Sequence, residues 1–184
     1  MNQQAKNKVI FILLTVIAVA FIWVLLFELN MLLFSNLYTS NYINIVFLPA
    51  GIRLIAVLLL EELGVVGLFL GALMTGYIHH SDIGMVPIIG ISLISAFNPY
   101  LSIKLSKHFL NIDDVLSNLQ VNQMFIISSI YAALNSLTHN LYFYFINPTH
   151  DYTANSLVML LGDLFGCLIV LYSVSFVIKL NRRR

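Results

Sequence analysis

Two ionisable side chains stand inside long apolar runs, Arg53 in GIRLIAVLLL and Asp163 in LVMLLGDLFG. A charge at the centre of a membrane helix costs about 2.5–3.5 kcal/mol on insertion scales, so each needs a partner or a purpose. Counted from the ends of their apolar runs, both lie ~15 Å deep at the helical rise. Their charges are opposite, which allows an Arg53–Asp163 pair or a water-filled pocket holding both. Arg53 could equally reach toward Glu61 or Glu62 on its own hairpin. Asn135, Ser136, Thr138, His139 and Asn140 add a polar patch within an otherwise apolar stretch. Asn98-Pro99 interrupts another, where a proline frees a backbone carbonyl for a neighbour. Pro49 sets its own φ, and Gly51 gives close backbone access. The candidate ligand or ion pocket is therefore Arg53, Asp163, His139, Asn135, Asn98 and Gly51. The same polar groups could instead only hydrogen-bond between helices.

His79, His80, Asp82, His150 and Asp151 are of types that bind zinc or sense pH. They show no ordered ligand spacing such as His-x-x-x-His and are read as solvated loop residues. No metal and no cofactor is expected. A Gly-rich phosphate loop, a Gly-x-Ser-x-Gly elbow and paired carboxylates beyond Glu61-Glu62 are all missing, so the expectation is a non-enzyme without catalytic residues.

The elements that must position these groups follow from composition. Of 184 residues, 60% are hydrophobic and 9% charged, with mean hydropathy +0.92. Soluble domains are about 25% charged because water must solvate their surface. Lipid is therefore the solvent of this chain, and an all-α polytopic membrane bundle is the expected fold. A span needs roughly 20 mostly apolar residues. Six are read within a single domain, 1–184: 9–29, 43–60, 63–79, 85–105, 121–146 and 154–180. The second and third are short and meet in a tight hairpin at Glu61-Glu62. The first run is too long for a signal-peptide core and lacks a small-residue cleavage site, so it is read as a retained helix.

Basic residues set orientation. Lys6, Lys8, Lys104, Lys107, Lys179, Arg182, Arg183 and Arg184 fall on one side if the spans number six. The three opposite loops contain neither Lys nor Arg, which puts both termini in the cytoplasm. The terminal arginines are a topology anchor against anionic lipid rather than a nucleic-acid contact. Residues 112–120, IDDVLSNLQ, are too polar to span and suggest a short interfacial helix begun by Asp113 and Asp114. Gly67/Gly71 and Gly162/Gly166 are Gly-x-x-x-Gly pairs that allow close helix packing, within one chain or between copies. The lone cysteine, Cys167, rules out an internal disulfide framework.

The stretch LPAGIRLIAVLLLEELGVVGLFLGALMTGY, with NIDDVLSNL and GDLFGCLIVLY, resembles the bacterial membrane-associated sensor (MASE) domain of the first class. The resemblance covers roughly 43–172. It implies an inner-membrane sensory module that feeds a cytoplasmic output such as a histidine kinase or a cyclic-di-GMP enzyme. The sequence departs from that pattern in carrying Arg53 where such domains are generally apolar. It also ends at Arg184, so a stand-alone module is expected, its signal passing through a separate partner. The leading expectation is a sensor-like module holding a small ligand or a partner protein in a polar outer-half interior. The alternatives are the substrate-binding component of an energy-coupling-factor transporter and a membrane assembly factor.

Overall fold

The computed structural model describes residues 2–40, 43–110, 121–149 and 151–181. Five helices run in sequence: α1 (Gln3–Phe34), α2 (Pro49–His79), α3 (Met85–Leu110), α4 (Val121–Ile146) and α5 (Tyr152–Asn181). Their starts follow local chemistry. Asn2 caps α1 through the Gln4 amide, Pro49 occupies the first turn of α2 where a missing N–H costs nothing, and the Asp151 carboxylate accepts the Ala154 amide before α5.

Helix α2 is two legs. At Glu61 the backbone takes φ 47° and ψ −121°, and a β-carbon on Gly64 would fall on the Ala56 carbonyl. In an unbroken helix residues 56 and 64 would stand about 12 Å apart along the axis. The chain therefore doubles back at Glu61, and only glycine at 64 lets the legs touch. The bundle then has a Glu61 end, shared by the start of α1 and the end of α3, and a His79 end. Lys104 and Lys107 line a cleft of about 190 Å³ with Glu61 and Glu62 at the Glu61 end.

Among the described residues, four helical segments are long and apolar enough to cross a membrane: Gln3–Leu37, Pro49–His79, Met85–Leu110 and Tyr152–Val174. Helix α4, carrier of the polar patch, is not among them. The outward surface is apolar, with Phe21, Leu32, Leu59, Val86, Phe109 and Phe145 exposed, while polar side chains turn inward. This inversion is what a lipid solvent demands. The expected interfacial helix at 112–120 lies outside the described residues.

One expected span needs correction. Residues 43–48 are not helical, and α2 begins only at Pro49. Ile43–Asn44 forms strand β2, paired antiparallel with β1 (Tyr38–Ser40), and 45–48 then runs inward as irregular chain. Its backbone groups are met one by one. The Val46 amide reaches its neighbour Asn44 Oδ1 (3.1 Å), the Phe47 amide the Gly162 carbonyl (3.1 Å), and the Leu48 amide Asn30 Oδ1 (2.8 Å). Asn44 Nδ2 returns a bond to the Phe34 carbonyl (2.9 Å). Buried non-helical backbone persists only where the protein supplies such partners.

The proline in α3 does not interrupt it: the helix continues through Pro99. Along its inner face Ser92, Ser102 and Ser106 bond back to the carbonyls four residues earlier, so buried hydroxyls are satisfied within the helix.

Candidate functional site

In the half of the bundle toward His79, all five helices and the 43–48 segment enclose a cavity of about 90 Å³. Arg53 and Asp163 both line it. Arg53 is 4% exposed and Asp163 fully buried. They form no ion pair. Arg53 does not turn back toward Glu61 or Glu62 either.

The Arg53 guanidinium is instead held by neutral groups. Its Nη1 donates to Tyr131 Oη (2.8 Å) and its Nη2 to Ser95 Oγ (3.1 Å). Its carbon stands 4.6 Å from the centre of the Trp23 ring and 5.2 Å from that of Phe47, within cation–π reach. Trp23 is itself pinned by its indole N–H on Thr75 Oγ1 (3.2 Å). Ser95 passes the chain on to His139 Nε2 (3.1 Å), and His139 Nδ1 meets the Asn135 carbonyl (3.0 Å).

A second chain holds the anion. Asn98 Nδ2 donates to Asn135 Oδ1 (3.0 Å) and Thr138 Oγ1 (2.7 Å), and Asn135 Nδ2 donates to Asp163 Oδ2 (2.6 Å). Among the atoms of these cavity-lining residues, two are buried and have no partner among the described residues: Arg53 Nε and Asp163 Oδ1. Buried polar atoms are rarely left so.

Of the residues read as pocket candidates, Arg53, Asp163 and His139 line the cavity. Asn135 and Asn98 stand behind it and orient Asp163. Gly51 is elsewhere: a β-carbon there would press on the Val170 side chain of α5, so this glycine serves packing. The four helix-packing glycines all act within the chain. Gly67 and Gly71 receive Val19 and Trp23 of α1, while Gly162 and Gly166 receive the carbonyls of Asn44 and Phe47. Sequence reasoning did not find Tyr131, Ser95, Trp23, Thr75 or Phe47. One signal was present, since Tyr131, Asn135 and His139 recur at four-residue spacing on one helix face.

The histidines read as loop residues divide. His79 Nε2 stands 2.6 Å from Glu28 Oε1, His80 borders the cavity, and His150 lies outside the described residues. No metal-binding cluster occurs among the described residues.

Fold and site together define an all-α membrane bundle with a polar, charge-bearing cavity toward one end. The chain belongs to the MASE1 family of membrane-associated sensor domains, matching it over residues 8–184. It is thus a sensor-like membrane module. No curated protein and no solved structure matches the chain.

Proposed function

We propose that the cavity between Arg53 and Asp163 is the ligand site of this sensor module, and that binding there is relayed to a signalling partner. The observation that carries the reading is the pair of unpartnered atoms, Arg53 Nε and Asp163 Oδ1, beside one cavity in a lipid-facing bundle. Two buried charges kept apart and incompletely bonded are a poor way to stabilise a fold. They are a good way to hold a polar solute.

The module crosses the bacterial cytoplasmic membrane six times in this reading, α2 contributing two passes, with both termini in the cytoplasm. Lys6, Lys8, Lys104 and Lys107 then mark the cytoplasmic end, and the cavity opens in the outer half. It binds rather than catalyses. The Ser95 oxygen accepts an Arg53 N–H, which draws electron density from the atom a nucleophile would use.

The test is purification of the chain in mild detergent, with mass spectrometry of bound small molecules and proteins. A solute retained by the wild type and lost from Arg53→Gln, together with a co-purifying kinase or cyclic-nucleotide enzyme, supports the reading. Solute uptake that depends on the chain and a co-purifying ATPase would replace it with transport. A ligand-free, partner-free chain would refute it.

A further inference from the structure

We infer that the ligand is a small zwitterion, with its anionic group on Arg53 and its cationic group on Asp163. This deepens the proposed function and rests on the cavity being a ligand site. The cavity wall carries one cation and one anion that do not pair with each other. Each is engaged by neutral groups at only some of its polar atoms. Arg53 spends Nη1 and Nη2 on Tyr131 and Ser95 and keeps Nε free, while Asp163 spends Oδ2 on Asn135 and keeps Oδ1 free. The other titratable groups at the wall are histidines. His139 has both ring nitrogens engaged, and His80 stands at the His79 end.

Each class of solute meets these charges differently. A small anion would satisfy Arg53 but bring like charge to Asp163, and a small cation would do the reverse. A neutral solute would leave both charges unpaired in a medium where unpaired charge is costly. Only a molecule carrying both signs pairs both at once. The remaining walls suit the carbon skeleton of such a molecule: Phe27 and Phe143 offer aromatic surface, and Ile88 and Met159 offer apolar contact. A cavity of about 90 Å³ has room for a solute the size of a few waters. That admits glycine, alanine or β-alanine and excludes nucleotides and sugar phosphates.

Trp23 is the only tryptophan in the chain, and it lies against Arg53, so its fluorescence reports on this site. The experiment uses the whole chain in lipid nanodiscs and follows Trp23 emission and the thermal midpoint. The zwitterions above are compared with propionate, propylammonium and propionamide. At least one zwitterion should shift the emission saturably and raise the midpoint by several degrees. The singly charged and neutral probes should bind about tenfold more weakly or worse. Asp163→Asn, which keeps the side-chain shape, should remove the discrimination against propionate. If propionate, propylammonium or propionamide binds the wild type as well as the zwitterions do, the zwitterion inference fails while the cavity remains a ligand site. If no probe of any class produces a shift, the ligand-site reading fails with it.

Discussion

The two Gly-x-x-x-Gly pairs share a spacing and differ in what they receive. Gly67 and Gly71, on the second leg of α2, take side chains of a neighbouring helix: Val19 and Trp23 of α1. Gly162 and Gly166, on α5, take bare backbone: the carbonyls of Asn44 and Phe47 in the non-helical 43–48 segment. The first groove joins two helices. The second holds an irregular strap across the cavity, with Asn30 and the Gly162 carbonyl meeting its amides. A motif usually read as a helix–helix contact is here also a seat for extended chain, and that seat places Phe47 beside Arg53.

The comparison breaks most readily at Gly166. A β-carbon there would overlap the Phe47 carbonyl, and backbone cannot step aside. Gly166→Ala should cost about 3 kcal/mol, the upper range for overpacking, seen as a lowered thermal midpoint in detergent with red-shifted Trp23 emission. Asn30→Leu tests the same seat from the other side. It leaves the Leu48 amide buried and unpaired, for a loss of about 2 kcal/mol. In the helix–helix groove, Gly71→Ala meets the base of the buried Trp23 side chain at 2.7–2.8 Å, and the two helices can part slightly at a cost of about 2 kcal/mol. Equal losses at Gly71 and Gly166 would erase the distinction between the grooves. The smallest effect is expected outside both: Glu61→Gly keeps the positive φ of the turn but removes the β-carbon strained there, and should raise stability by about 1 kcal/mol. A lower midpoint for Glu61→Gly would mean that the carboxylate, not the turn geometry, holds the hairpin.

Much of this could be read from residue types because the scarcest ones carry the site. With charges so few, Arg53 and Asp163 stand out in apolar runs. The run-length argument places α4 at 121–146, where the helix is found. The strap was misread because periodicity treats a short apolar run such as Ile43–Leu48 alike whether it is helix or extended chain. What decides is its seat on α5, more than a hundred residues away, together with Pro49. Tyr131 and Ser95 escaped notice for the opposite reason to Arg53. Tyrosine and serine are common in this chain, and only the guanidinium between them makes these two distinctive. Depth predicted that Arg53 and Asp163 would share a level. It could not predict that neutral side chains would hold them apart.

That separation is the central claim: the charges border a space a polar solute can enter, not a closed ion pair. Cysteine accessibility measures it directly. In a Cys167→Ser background, Ser92→Cys places a thiol on the cavity wall, where the Ser92 hydroxyl bonds back to the Ile88 carbonyl. Ser106→Cys places one at an equally buried position on the same helix, away from the cavity. A small hydrophilic methanethiosulfonate reagent should modify the thiol at 92 and leave the one at 106 untouched. Equal protection of both thiols would contradict an accessible cavity and leave Arg53 and Asp163 as structural groups alone.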